Sequence, residues 1–313
     1  MIELKKVKTY KLSSRKCKVE KSSFGTPTPE AGTRLANFIN GLPKIQAAKD
    51  IINLAQLIIE AYKNKKSVIF AIGGHVIKTG VTPYLIDLAE RGIVSFVAMN
   101  GAAAIHDFEI AFNARTSEDV AESLQDGTFG MAYETGHFMN RAFALARRNQ
   151  SGAGFALYRT IDEIEAPYRN DSLVYRVFKA GAAASIHIAI GTDIVHVHPD
   201  ANGEDIGAAT FNDFRVYCEA ISKLEEGSVY INFGSAVVMP EVFLKALTLT
   251  RNLGHKTFGF HTANFDMITH YRPQVNVLGR PTLGANGKSF NFNGCHEIML
   301  PLLHAIIIEK LGQ

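Results

Sequence analysis

The sequence predicts a soluble α/β protein built on a doubly wound, Rossmann-like parallel sheet, and three observations carry that reading. From Ser67 onward, short apolar runs end in glycine or polar clusters: SVIFAIGG, IVSFVAMNGAA, SIHIAIG, GSVYINFGS and HKTFGFHTA. Helix-like segments separate them: TPYLIDLAERG, HDFEIAF, TFNDFRVYCEAISKLEEG and PEVFLKALTLTRNLG. Strands alternating with helices over this length form a parallel sheet with helices on both faces. Upstream, IQAAKDIINLAQLIIEAYKN spaces its apolar residues about three and four apart, the period of a helix.

Bulk composition agrees. A chain of 313 residues, 47% hydrophobic and 20% charged, has an ordinary core-forming balance. A formal charge of +3 gives no reason to expect a nucleic-acid partner. No apolar run approaches the ~18 residues needed to cross a bilayer, so no membrane association is expected. The opening MIELKKVKTYKLSSRKCKVEK lacks the apolar segment of a secretory signal. Cys17, Cys218 and Cys295 are too scattered for a metal knuckle or a disulfide framework, which points to a reducing cytoplasm. Residues 1–26 read as a Lys-rich arm, with TPTPEAGT as the linker into a single domain over 27–313. Such an arm is either a solvated tail or a segment that docks on a neighbouring subunit.

In parallel sheets ligands bind beyond the carboxyl ends of the strands, so those residues carry the chemistry. Gly73-Gly74-His75 follows the first strand; paired glycines admit a close ligand backbone or form a simple tight turn. Asn100-Gly101-Ala102-Ala103-Ala104 leaves space above the next strand, with His106, Asp107 and Glu109 just behind. Asp107 suits a cap on the helix that follows, which leaves His106 or Glu109 for ligand contact. IVHVHPDANGED places His196 and His198 on one face of a strand. That pair binds substrate, sits satisfied at the sheet end, or starts a metal site completed by Asp200, Glu204 and Asp205. Gly234-Ser235-Ala236 is another small-residue strand end, and Glu241 sits near the start of the helix behind it, as a dipole-favoured acid or a functional one. The last clear strand is followed by HTANFD, with Thr262 and Asp266. Gly294-Cys295-His296-Glu297 opens a C-terminal apolar helix, where Cys295 reads as a buried filler.

Taken in order, GGHVIKTG, MNGAAAIHDFE, HPDANGEDIG, INFGSAVVMPEVFLKAL, TANFD and GCHEIMLPLL resemble the deoxyhypusine synthase family over residues 67–308. NGAAAIHDFEIA also resembles the NAD-binding domain of ornithine-cyclising enzymes. The resemblance implies NAD as cofactor, a homotetramer, and a small polar, amine-bearing substrate. It assigns Gly73, Gly74, His75, Asn100, Gly101, Ala102, Gly234, Ser235, Thr262, Asp266 and Gly294 to the cofactor. His106, Glu109, His198, Glu241 and Arg280 are left for catalysis and substrate, with no metal. One departure matters. The family carries its substrate fragment on a lysine that follows a glycine, and Gly279-Arg280 stands nearest to that position. A guanidinium cannot form an imine, so the expected reaction runs without a covalent lysine and Arg280 anchors an anionic substrate end. Two other readings stay open: a metal-dependent hydrolase using the histidine pair, and a catalytically silent nucleotide-binding protein.

Overall fold

The computed structural model describes residues 3–27, 30–284 and 286–312. Two units emerge, Met1–Ile52 and Asn53–Gln313. In the first, three short 3-10 turns (Leu4–Lys6, Leu12–Ser14 and Lys21–Ser23) lead to α1 (Leu35–Gly41). Thr26 N–H donates to the Gly41 carbonyl and Lys44 N–H to that of Ser23, which ties the end of the arm to the residues after α1. Thr28 and Pro29, in the expected linker, lie outside the described residues. Helix α2 (Gln46–Lys63) begins in this unit and continues into the next.

The second unit holds the sheet. After β1 (Val68–Ile72) come α3 (Gly74–Lys78) and α4 (Thr82–Glu90), then β2 (Phe96–Asn100). The crossover to β3 (Ala183–His187) is long: α5 (Gly101–Asn113), α6 (Val120–Ser123), α7 (Tyr133–Arg148), α8 (Ala153–Glu163) and α9 (Leu173–Lys179). Then follow α10 (Gly203–Ser222), β4 (Val229–Phe233), α11 (Val238–Asn252), β5 (His261–Asp266), a π-helical segment (Pro273–Gly279), β6 (Ser289–Asn293) and α12 (His296–Leu311). All pairings are parallel, in the order β3-β2-β1-β4-β5-β6. The expected fold class is therefore the observed one, with its topological switch point between β1 and β4.

One strand has no counterpart among the apolar runs. In β6, SFNFN, Phe290 and Phe292 are buried while the residues between them are exposed, the alternation of an edge strand. The other strand boundary that differs is that of β5. HTANFD is the strand itself, so Thr262 lies near its start, 0% exposed and bonded to Ser289 Oγ at 3.0 Å.

The two faces of the sheet differ in chemistry. Tyr230 on β4 stacks on Phe243 of α11 with ring centroids 3.7 Å apart, inside a core shared with α10 and the π-helical segment. On the same face a polar row crosses the far strands: Asn232 Nδ2 donates to Asn264 (2.8 Å), and Asn264 Nδ2 to Asn291 (3.0 Å). On the opposite face Phe233, Phe265 and Phe292, in register on β4, β5 and β6, stack in sequence at 4.6 and 4.4 Å.

Candidate functional site

At the switch point the strand ends are drawn together by backbone bonds: Gly73 N–H to the Phe233 carbonyl (3.1 Å) and Gly234 N–H to that of Phe265 (2.9 Å). The approach requires glycine. A Cβ on Gly73 would lie 2.1 Å from the Gly234 carbonyl oxygen, and one on Gly234, whose φ is +65°, would lie 2.5 Å from His296 Cε1. A Cβ on Gly74 would sit 3.1 Å from His106 Cδ2. Three imidazoles, those of His75, His106 and His296, thus gather around one glycine turn.

Beside this turn, α5 starts with Asn100 as its N-cap, its Oδ1 accepting from Ala103 N–H at 2.9 Å. Ala102, Ile105, His106 and Glu109, spaced three and four apart, face a cavity of about 240 Å³ that Lys78, Glu118 and Asp193 also line. Glu109 and Glu118 share the wall of a second cavity, about 510 Å³, reached by Arg115, Glu134 and Thr135. Thr116 Oγ1 donates to Glu109 Oε2 at 2.5 Å and Thr135 Oγ1 to Oε1 at 3.2 Å. His106 Nδ1 is 2.6 Å from the same Thr116 oxygen. Since the Thr116 proton goes to Glu109, Nδ1 must be the donor, which leaves the lone pair of His106 Nε2 free. Burial would raise the pKa of Glu109, but His106, 3.8 Å away, and the Thr116 hydrogen bond outweigh it and hold the carboxyl below its ordinary value. It faces the cavities as an anion. Asp193 is different: burial pushes it up to about 6, and its carboxylate rests against Gly101, where a Cβ would meet Oδ2 at 1.9 Å.

Several sequence-derived assignments change. Asp107 is a cap, but not of its own helix. Buried completely, it accepts from Ser172 Oγ (2.6 Å), Leu173 N–H (2.6 Å) and Val174 N–H (3.1 Å) at the start of α9. His196 and His198 do not share a strand face, because Ile194–Val197 is a 3-10 turn. His198 Nε2 binds the Gly130 carbonyl at 2.7 Å and its ring packs where a Cβ on Gly136 would be, while His196 Nδ1 accepts from Gly191 N–H. Glu204 and Asp205 pair with Arg147, and Asp200 with His137. Among the described residues no group of three or more His, Cys, Asp or Glu side chains is arranged to hold a metal. Ser235 Oγ accepts from Met239 N–H and so caps α11. Asp266 accepts from Met267 N–H. Cys295 is exposed rather than buried.

Glu241 lies outside the α5 cavities and is paired with Lys245, Arg272 and Asn276; the Lys245 hydrogen bond leads in holding its carboxyl low. Arg280 binds Asn276 Oδ1 at 2.7 Å. The next residue, Pro281, is held through its carbonyl by Arg251 at the C-terminal end of α11. That end lies at the edge of the sheet remote from the strand carboxyl ends, because α11 runs back to the start of β5. Arg280 and Glu241 are joined through Asn276, but Glu241 is in the first turn of α11, just past the carboxyl end of β4, where it lines a cavity of about 530 Å³ with His187 and Val237. The residues missed by sequence reasoning are Lys78, Glu118, Asp193 and His296; the His-Glu pair following Gly294-Cys295 was the one local signal for the last.

No family model matches the chain, and no curated protein does. Solved structures do. AgrE in ternary complex with ornithine and NAD+ superposes with a TM-score of 0.52 at 14% identity, covering 84% of this chain and 33% of that one. A LOR/SDH protein from Methanococcus maripaludis S2 gives 0.51 at 15% identity, covering 85% and 70%. A protein designated deoxyhypusine synthase from Entamoeba histolytica gives 0.52 at 10% identity, covering 89% and 94%. The chain spans about a third of the length of AgrE and of the cyanobacterial arginine dihydrolase ArgZ. At these identities the likeness is one of fold: the chain has the deoxyhypusine-synthase-like α/β architecture.

Proposed function

We propose that this chain is an NAD-dependent enzyme acting on a small amine-bearing substrate, without a covalent lysine intermediate. One observation carries the reading. An ionised Glu109, next to a histidine with a free Nε2, faces a cavity directly beside the glycine turn at the switch point. The turn suits a nucleotide, since Gly73, Gly74 and Gly234 sit where a Cβ has no room and His296 close by has unpartnered ring nitrogens. NAD, when bound there, supplies the acceptor for a hydride from the carbon bearing the amine. Glu109 and Glu118 hold the ammonium, Lys78 or Arg115 holds an anionic end, and His106 Nε2 takes the proton that the amine must release.

NADH absorbance measured with a panel of amines and amino acids tests the proposal. An amine-dependent increase supports it. Nucleotide binding without turnover favours a silent binding protein instead. Borohydride with an active substrate is expected to trap no adduct, and an adduct on Lys78, the lysine lining the smaller cavity, would overturn the non-covalent route. A homotetrameric, cytoplasmic enzyme completes the proposal, with light scattering as the check on assembly. No helix among the described residues is long and apolar enough to cross a membrane.

A further inference from the structure

His296 opens α12 and is 1% exposed, yet neither of its ring nitrogens makes a hydrogen bond. A buried polar group without a partner loses the hydrogen bonds that water would give it, so its presence calls for an explanation. The Phe265 carbonyl acts on the ring but makes no well-formed hydrogen bond to it, and receives Gly234 N–H at 2.9 Å. The imidazole stands edge-on to Phe233 at 4.9 Å and to His75 at 5.2 Å, and so extends the Phe292–Phe265–Phe233 stack toward the glycine turn. His75, half-buried and with no side-chain hydrogen bond among the described residues, is its cover on the turn side.

We propose that His296 is a ligand-contacting residue that reads the uncharged, amide-bearing ring of a nicotinamide nucleotide once His75 swings aside. This rests on the NAD reading above and assigns the end of the dinucleotide that meets the far strands. Burial, and then the neighbouring His75, push the pKa of His296 below its ordinary value, so the ring is neutral. A neutral imidazole offers one donor and one acceptor, which matches a primary carboxamide and gives no anchorage to phosphate. The surrounding rings suit a planar heterocycle, and the charges that reach the imidazole, those of Asp266 and Glu297, are negative and repel phosphate.

The experiment uses NADH and ADP-ribose, which differ by the nicotinamide end. His296→Phe keeps a ring and removes both nitrogens; it is expected to weaken NADH by at least about tenfold while ADP-ribose stays within about twofold. His296→Gln, which restores a donor and an acceptor, is expected to recover most of the NADH affinity. In wild-type protein labelled with 15N-histidine, NADH should shift the His296 ring resonances and ADP-ribose should not, a readout that needs no variant to fold for its interpretation. Equal NADH affinity in wild type and His296→Phe, or equal loss of both probes with unshifted ring resonances, overturns this inference and leaves the NAD reading intact. Wild-type protein that binds neither probe overturns both.

Discussion

The sheet has two halves that meet at the switch point, and they solve the problem of polar groups in opposite ways. On the β1–β3 side the buried polar groups are carboxylates. Asp107 holds the start of α9, and Asp213 accepts from Gly154 N–H (2.8 Å) and Ile186 N–H (2.7 Å), joining α8 to β3. Glu109 and Asp193 line open space on the same side. On the β4–β6 side a ladder of neutral amides starts from the buried Asn232 and Asn264, Asp266 is the buried carboxylate at the end of β5, and exposed charges neutralise one another around Glu241. Both halves have small residues after their strands. Cavities open beside α5, lined by Glu109, Glu118 and Asp193, and at the start of α11, lined by His187, Val237 and Glu241; the first, with its three carboxylates, is the one suited to a cation.

The largest effect expected from this contrast is on pH. Burial pushes Asp213 up to about 7, from an ordinary value of 3.8, so the folded state holds an extra proton between those values. Its contribution is fully present below about pH 4 and lost as pH rises through 7, by roughly 4 kcal/mol. Unfolding free energies from urea titration, wild type minus Asp213→Asn, should fall by that order between pH 4 and 7. The opposing effect of His187, pushed down to about 3 by burial, cancels in the subtraction. A flat difference would mean that Asp213 stays ionised in the folded protein and that burial does not hold its proton.

Asp107→Ala comes next. It strips the acceptor from three donors at the head of α9 and should cost about 3 kcal/mol or more, read as a lowered Tm by circular dichroism. Glu109→Ala sharpens the functional side: turnover of an amine substrate should drop about a hundredfold, equivalent to ~2.7 kcal/mol, with the Tm little changed. Smallest is Glu241→Gln. Its partners are exposed cations, so stability should change by less than about 1 kcal/mol and turnover by less than about twofold. A large loss of turnover would return Glu241 to the site and erase the distinction between the halves.

The sheet was legible where strands are buried on both faces. In β1 and β4 every residue is buried, and continuous apolar runs announce them. The edge strand β6 alternates, and its three polar positions hid it. Helical periodicity marked α2, whereas the crossover helices α7, α8 and α9 had drawn no attention. At the site, the small residues after β2 lead into α5, where His106 and Glu109 line a cavity. What local sequence could not convey was partnership over distance. Asp107 caps a helix that begins 66 residues later, and Asp193 reaches Gly101 from a loop beyond the next strand. For the histidine pair, the period-two spacing was real but the backbone was not extended: Gly191-Thr192-Asp193 before it and Pro199 after it are turn formers, and they enclose a single 3-10 turn.

The asparagine ladder has a direction. Asn232 donates to Asn264, Asn264 to Asn291, and Asn291 to Asn293 at 3.4 Å, so the amide dipoles run head to tail across three strands. Aligned bonds of this kind polarise one another, by roughly 10–30% each. The negative pole of the series is Asn232 Oδ1, buried and without a partner, in register with Ala71 of β1. The edge strand β6 thereby strengthens an acceptor oxygen at the centre of the sheet, and a substitution at Asn291 would be felt two strands away.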